Sequence, residues 1–189
     1  MLQSMGLVFQ VVPSGTDESE LSDVLPDRMA ELWAKEKAVT VSTRYPEAWV
    51  LAADTIVVVD GIPFGKPKSF EEAVAILRTL SGRAHEVITG MALAHHTGGM
   101  LELRSVRTEV LFKQLSEREI DSYARTGKPM DKAGAYGIQG IGAFLVHSIR
   151  GSYTNVVGLP LAETADWLQR HRVIRPRGSE SIAISGGDS

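Results

Sequence analysis

The sequence predicts an α/β fold, and three observations support that class. Strand-length runs of apolar and β-branched residues, such as residues 49–59, alternate along the chain with segments whose apolar residues recur at helical spacing. The proportions of hydrophobic (43%) and charged (23%) residues are those of a globular protein. No apolar stretch approaches the roughly 18 to 20 residues that a membrane helix needs. A length of 189 residues then favours one domain.

The composition excludes several classes of protein. The chain has no cysteine, which excludes disulfides, thiolate metal sites and a cysteine nucleophile. Its 20 Lys and Arg residues against 23 Asp and Glu residues give a net charge of −3 without a basic block, so we expect no nucleic-acid partner. The N-terminal residues lack the pattern of a secretory signal. We therefore expect a soluble cytoplasmic protein that contacts no membrane.

The N-terminal part is predicted to hold a short helical end, a strand, a loop and a long helix. Residues 1–6 resemble the last turn of a helix, and apolar residues alternate over residues 7–11 as in a strand. A polar loop follows over residues 13–25. Pro26 suits the first position of a helix, which is predicted to end within residues 40–45.

The rest of the chain is predicted to alternate strands and helices. Residues 49–59 form a buried strand, and Asp60-Gly61 is a strong hairpin signal before a short return strand over 62–64. Capping residues, turn residues and periodicity predict the remaining elements. The predicted helices run from a cap at Ser69 to Leu80, from Ser116 to Arg125 and over 160–170. The predicted strands cover 86–96, 101–113 and 142–149, and residues 172–189 are predicted to be a disordered tail.

Asp54 is the most informative single residue, because it is an acid within an apolar strand. An unpaired carboxylate in such a place costs several kcal/mol unless a cation, hydrogen bonds or a metal ion satisfies it. The alternative is that Asp54 lies just past the buried part of the strand and caps a turn, with Thr55 beside it.

Three further charged residues are candidates with simpler alternatives. Lys66 precedes Pro67 after the tight hairpin, a place from which its ammonium group can reach a phosphate or neutralise Asp54. An isolated Lys-Pro pair is weak evidence for such a role, and a solvated surface lysine is the commoner alternative. Glu18, in the polar loop, and Lys37, in the first helix, each resemble solvated surface charges when taken alone.

The segment 131–140 is rich in glycine and also carries Lys132, Tyr136 and Gln139. Glycine permits close approach of the backbone to a planar ligand, and an amide such as that of Gln139 both donates to and accepts from a base edge. The glycine spacing matches neither a Walker loop nor a dinucleotide-binding fingerprint. The alternative is a structural loop. The residues alone therefore predict a polar cleft built from Asp54, Lys66 and this segment.

Five motifs in this order resemble the Maf family of nucleoside triphosphate pyrophosphatases, over about residues 2–168. They are Leu-Ala-Ala-Asp-Thr at 51–55, Gly-Lys-Pro at 65–67, Leu-Ser-Gly-Arg-Ala-His at 80–85, Asp-Lys-Ala-Gly-Ala-Tyr-Gly-Ile-Gln-Gly at 131–140 and Asn-Val-Val-Gly-Leu-Pro-Leu at 155–161. The resemblance implies one domain over residues 1–171 with a mixed central β-sheet flanked by helices, elongated and with a cleft, as in inosine triphosphatases.

The resemblance also implies an activity and roles for individual residues. The family hydrolyses a nucleoside triphosphate to monophosphate and diphosphate with a divalent metal, Mg²⁺ or Mn²⁺. The segment 131–140 is similar to that of the branch acting on dTTP and UTP. The implied roles are proton acceptor for Asp54, essential charged residues for Glu18, Lys37 and Lys66, metal ligands for Glu18 and Asp54, base selection for Thr55 and Gln139, and substrate binding for Lys132.

One departure from the family pattern keeps alternatives open. The family's Ser-Pro-Arg-Arg segment does not occur ahead of Leu2. We therefore expect an unpaired strand edge beside the strand of Asp54, which favours a homodimer. The alternatives are a nucleotide-binding regulator of cell division without turnover, a pyrophosphatase of the 7-methyl-GTP type, and an inactive fragment.

Overall fold

The computed structural model describes residues 1–16 and 24–174. In these residues five strands form one sheet in the order β2-β1-β3-β4-β5, and all four strand pairings are antiparallel. The strands are β1 (Trp49–Val59), β2 (Ile62–Phe64), β3 (Ala84–His95), β4 (Met100–Phe112) and β5 (Val146–Arg150). The predicted α/β class with a central sheet flanked by helices is confirmed.

Within the described ranges, five α-helices flank the sheet. They are α1 (Pro26–Arg44), α2 (Phe70–Leu80), α3 (Glu117–Ala124), α4 (Tyr153–Val157) and α5 (Leu161–Arg170). Short 3₁₀ helices cover Leu2–Met5, Lys128–Asp131, Ala133–Ala135 and Gly140–Leu145. No helix in the described ranges combines the length and the apolar character needed to cross a membrane.

Local signals in the sequence explain where several elements begin and end. Asp60 (φ 51°) and Gly61 (φ 80°) adopt the left-handed conformation that a two-residue hairpin between β1 and β2 requires. The Ser69 hydroxyl accepts the Glu72 N–H at the start of α2, and Ser116 forms a complete capping box at the start of α3. These three predictions are confirmed.

Helix α1 covers one face of the sheet with small residues. Ala30, Ala34 and Ala38 are fully buried against residues that include Ile56 and Ala92. Even-numbered residues of β1 therefore face α1. The next residues along β1 face the other side of the sheet, where two apolar clusters form.

These two clusters account for most of the buried side chains. Near β2, Val57 and Val59 pack with Leu77, Leu80 and Phe112. Near the start of β1, Leu51 and Ala53 pack against a cluster built on Trp167 and Leu168 of α5. Side chains on both faces of β1 thus pack against apolar residues. Asp54 lies on the face of the sheet that α1 covers.

Gly90 of β3 lets α1 approach the sheet next to Asp54. Gly90 is paired with Asp54 in the register of β1 and β3. A Cβ atom at residue 90 would lie 2.2 Å from the carbonyl carbon of Ala30 and 2.3 Å from its oxygen. Because both atoms belong to the helix backbone, a side chain at this position would force α1 away from the sheet.

Two predicted elements differ from the structure. The strand predicted over residues 7–11 is wrong: these residues have no regular secondary structure, and Val8 and Val11 are exposed. The strand predicted over 142–149 begins only at Val146, because residues 140–145 form a 3₁₀ helix. Alternating apolar residues form a strand only when a partner strand is available, and residues 7–11 have none within the described chain.

The predicted tail lies almost wholly outside the described residues. Residues 175–189 fall outside them, whereas residues 172–174 are described. Val173 and Ile174 pack against the cluster that contains Trp167. Val173 and Ile174 are therefore packed against the domain, contrary to the predicted disorder, whereas the prediction for residues 175–189 stays a prediction.

Among the described residues, the edge of β1 opposite β3 is unpaired over most of its length. β2 pairs only with residues 57–59, and within residues 1–16 and 24–174 no strand pairs with this edge of residues 49–56. A groove of about 640 Å³ follows the first part of this edge, with Leu7, Leu51 and Ile174 among its lining residues. The unpaired edge expected beside Asp54 is thus present in the described part of the chain.

Candidate active site

A cleft of about 350 Å³ lies at the open edge of β1, where β2 ends. Its wall combines the middle of β1, one face of α1, the turn after β2, the glycine-rich segment and the end of α4. The lining residues that carry polar side chains are Lys37, Asp54, Thr55, Lys66, Asp131, Lys132, Tyr136 and Gln139, with Trp33 beside them.

Asp54 and Lys37 form an ion pair at the base of this cleft. The Lys37 ammonium group donates a hydrogen bond to Oδ1 of Asp54. Asp54 is 7% exposed and the side chain of Lys37 is 24% exposed. The pair answers the question that the sequence raised about Asp54, because the buried carboxylate has a cation beside it. It also leaves Lys37 accessible from the cleft.

Thr55 lies on the opposite face of β1 and is fixed by a chain of hydrogen bonds. Thr89 Oγ1 donates to the backbone oxygen of Asn155 at 3.1 Å and lies 2.8 Å from Thr55 Oγ1. Since the Thr89 proton is used on Asn155, the Thr55 hydroxyl donates to Thr89. The Thr55 oxygen therefore keeps acceptor capacity at the wall of the cleft.

Asn155 anchors the part of the cleft wall that follows α4. It is fully buried, and its amide nitrogen donates to the backbone oxygen of Val87 and to Thr108 Oγ1, each at 3.0 Å. These bonds tie α4 to β3 and β4. Val156, Val157 and Gly158, which follow Asn155, consequently have a fixed place in the wall.

The turn that carries Lys66 is joined to the glycine-rich segment. The Gly134 N–H donates to the carbonyl oxygen of Gly65 at 3.0 Å. Gly134 has a φ of +67°, and a Cβ atom there would lie 2.5 Å from a methyl group of Val57. Glycine is therefore required both by backbone conformation and by the close approach to β1. This contact places exposed Lys66 opposite the segment 131–139.

Lys132 and Gln139 line the same side of the cleft. The Lys132 ammonium group donates to Oδ1 of Asp131, and its methylene groups lie against Gly137. The side chain of Lys132 is 35% exposed. Gln139 is exposed at the rim, in an extended backbone conformation. A cation and an amide thus line this part of the cleft.

His85 and Tyr136 form a buried pair behind the glycine-rich segment. Nε2 of His85 lies 2.8 Å from Oη of Tyr136, and both rings contact Phe112 edge to face. Burial lowers the pKa of His85 from its ordinary 6.5 to about 4 and raises the pKa of Tyr136. Histidine is therefore neutral here at pH 7.

This low pKa predicts an acid-side loss of stability that depends on His85. Below pH 6.5 the unfolded chain binds a proton at His85 while the folded chain does not until about pH 4. We expect the free energy of unfolding to fall across this window by roughly 1 kcal/mol per pH unit from this group. Urea unfolding of the wild type and of His85→Gln at pH 7, 6 and 5 measures the difference. Parallel pH dependences of the two proteins would contradict the prediction.

The structure brings six of the seven candidate residues into one cleft. They are Lys37, Asp54, Thr55, Lys66, Lys132 and Gln139. Glu18 lies outside the described residues. Sequence reasoning assigned no role to Trp33 or to the end of α4. Trp33 is four residues before Lys37, so helical spacing was a usable signal for it, whereas the end of α4 was noted only as part of the motif at 155–161.

Comparison with known proteins identifies the family. The sequence model described as Maf-like protein matches residues 1–171. The chain belongs to the Maf family. A Maf-family relative from Myxococcus xanthus, named dTTP/UTP pyrophosphatase, is 47% identical over 170 residues, which cover 90% of this chain and 85% of the relative.

Two other relatives of the Maf-family chain carry the same name. The protein from Halalkalibacterium halodurans is 45% identical over 171 residues, covering 90% of this chain and 89% of the relative. The protein from Syntrophus aciditrophicus is 44% identical over 169 residues, covering 89% and 82%. Both are named dTTP/UTP pyrophosphatase.

Proposed function

We propose that this Maf-family protein is a nucleoside triphosphate pyrophosphatase that hydrolyses dTTP and UTP to the monophosphate and diphosphate. One observation carries the proposal: a buried carboxylate, Asp54, lies in a cleft whose wall also holds Lys37, Lys66 and Lys132. A base and several cations are what attack of water on a triphosphate requires. The names of the three relatives support the same reaction.

In the proposed reaction, water attacks the α-phosphorus and diphosphate leaves. Asp54 accepts the proton of the attacking water, and the bond from the α-phosphorus to the bridging oxygen breaks. Lys66 and Lys132 reach the phosphate oxygens from two sides of the cleft. Lys37 holds the Asp54 carboxylate in place and adds positive charge where the oxygens gain negative charge.

Protein side chains of this cleft can supply only some of the ligands of a divalent cation such as Mg²⁺ or Mn²⁺. Among the described residues, no group of three or more His, Asp or Glu side chains is arranged to hold a metal ion. Mg²⁺ in nucleotide enzymes is commonly held by one or two carboxylates together with substrate phosphates. Asp54, and Glu18 beyond the described residues, are the proposed ligands. The ion would neutralise phosphate charge.

The base side of the cleft suits a pyrimidine that has an N–H donor between two carbonyl groups. Thymine and uracil present this pattern. The Thr55 oxygen offers an acceptor, because its proton is used on Thr89, and the Gln139 amide offers both a donor and an acceptor. We propose these two residues as base contacts. We also propose that residues 1–171 form a single domain and that the enzyme is cytoplasmic.

Diphosphate release tests the proposed function directly. The protein is incubated with dTTP, UTP, dATP and 7-methyl-GTP in the presence of Mg²⁺, and diphosphate and monophosphate are quantified. We expect equal amounts of the two products, with dTTP and UTP as the preferred substrates. Ligand-dependent thermal stabilisation without product would favour a nucleotide-binding regulator instead. Absence of both stabilisation and product would contradict both functions.

We expect Gln139→Glu to change the base preference. The substitution keeps the size of the side chain but replaces a group that donates and accepts by one that only accepts. The KM for dTTP and UTP should rise about tenfold, the loss expected when one hydrogen bond to a base is replaced by an unpaired group, while kcat changes little. The control is Gln169→Glu, an exposed position of α5 outside the cleft. Unchanged ratios of kcat/KM among dTTP, UTP and dATP would show that Gln139 does not select the base.

A further inference from the structure

The segment Tyr136–Gln139 has an unusual position in the cleft wall. It belongs to no helix or strand, and it links the 3₁₀ helix Ala133–Ala135 to the 3₁₀ helix Gly140–Leu145. Tyr136, Gly137, Ile138 and Gln139 all line the cleft. Since no strand pairing fixes this segment within the described chain, side chains from other elements must fix it.

Two buried side chains hold the segment from behind. Oη of Tyr123, on α3, accepts the Gly137 N–H at 3.2 Å. Nε2 of His85, on β3, is 2.8 Å from Oη of Tyr136. Tyr123 and His85 are each 3% exposed, and neither lines the cleft. They therefore contact the segment without contacting a ligand.

The surroundings of Tyr123 show how tightly this support is packed. A Cβ atom at Gly142 would lie 2.7 Å from Tyr123 Oη and 2.3 Å from the carbonyl oxygen of Gly137. Tyr123 also contacts Phe144 edge to face, with ring centroids 6.1 Å apart. The phenol group, the Gly137 peptide and the Gly142 backbone consequently form one packed unit two residues from Gln139.

We infer that Tyr123 and His85 are positioning residues that hold Tyr136–Gln139 at the distance from β1 that a nucleotide base needs. The inference rests on the proposed function, because it assigns the base to this side of the cleft. The phosphates contact Lys37 and Lys66, which lie outside Tyr136–Gln139, and Lys132, whose ammonium group is held by Asp131 and not by Tyr123 or His85. Loss of either support should therefore weaken binding of the base and leave binding of the phosphates largely unchanged.

The test compares a ligand with a base and a ligand without one. Tyr123→Phe removes one oxygen atom and keeps the ring. Calorimetry with Mg²⁺ gives the Kd of α,β-methylene-dTTP, which resists hydrolysis, and of inorganic tripolyphosphate. For Tyr123→Phe we expect the Kd of the nucleotide to rise three- to tenfold, as for loss of one hydrogen bond, and the Kd of tripolyphosphate to change less than twofold.

Further variants separate positioning from general loss of structure. Tyr45→Phe removes a hydroxyl from an exposed tyrosine outside the cleft and should change neither Kd. His85→Phe should give the same selective loss as Tyr123→Phe, and His85→Gln, which keeps a hydrogen-bonding group, should recover part of it. Amide exchange at Gly137 should accelerate in Tyr123→Phe at a temperature at which the fold is intact.

The outcomes distinguish this inference from the proposed function. Equal weakening of both ligands, or no weakening of either, would overturn the positioning role. Selective weakening of the nucleotide supports it even if the wild type releases no diphosphate from dTTP or UTP, a result that contradicts only the proposed reaction. A wild-type protein that binds neither ligand would overturn both.

Discussion

We expect Asp54→Asn to abolish turnover of dTTP and UTP while the protein remains folded. Asn has nearly the shape of Asp and keeps an oxygen for the Lys37 ammonium group, but it cannot accept the proton of the attacking water. Loss of a general base typically lowers kcat by about 10²- to 10⁴-fold. Initial rates of diphosphate release at saturating dTTP, together with a thermal unfolding curve, measure both parts of the expectation.

The matched control is Asp60→Asn, at the hairpin that ends the same strand. Asp60 is exposed, and Asn tolerates its left-handed conformation at least as well. We expect wild-type rates from it. Rates within threefold of wild type in Asp54→Asn would remove Asp54 as proton acceptor. Unfolding of Asp54→Asn at assay temperature would instead assign the residue a structural role.

We expect Gly90→Ala to destabilise the protein by about 3 kcal/mol, at the upper end of the range for an added core methyl group. The new methyl group would lie within 2.4 Å of three backbone atoms of Ala30 and Glu31. No side-chain rotation relieves these contacts, so α1 must move away from β3. Because Lys37 is on α1 and Asp54 on the neighbouring strand, we also expect a fall in kcat while the variant is folded.

Urea unfolding monitored by circular dichroism gives the stability of Gly90→Ala. Gly65→Ala is the control for stability, because a Cβ atom at residue 65 would meet nothing within 4 Å. It should change the free energy of unfolding by less than about 1 kcal/mol. Equal stabilities of Gly90→Ala and wild type would mean that α1 does not depend on the close approach at Gly90.

Most of the fold could be predicted because its signals are local. The hairpin at Asp60 and Gly61, the caps at Ser69 and Ser116 and the β-branched run over 49–59 each determine their own neighbourhood. The strand predicted over 7–11 failed for the opposite reason. Alternation of apolar residues predicts a strand only where a partner strand is available, and that condition depends on the rest of the chain.

The candidate site could be predicted only in its parts. Asp54 stood out because it is a charge in an apolar strand, and the Gly-Lys-Pro and glycine-rich motifs stood out by composition. The pairing of Asp54 with Lys37 was not predictable, since it depends on where α1 crosses the sheet, and that is set by the absence of a side chain at Gly90. The support of the wall by Asn155, Tyr123 and His85 depends likewise on contacts distant in sequence.

The alternation of side chains along β1 links the assembly of the site to strand registry. Asp54 faces α1 and Thr55 faces Thr89, on opposite faces of the sheet. A slip of β1 by one residue would exchange these faces, placing a carboxylate against the Trp167 side and moving Gly90 away from its partner. A misregistered molecule would therefore have no site at all, rather than a weakened one. The specific activity of a refolded sample is then proportional to the fraction of molecules whose sheet has the native registry.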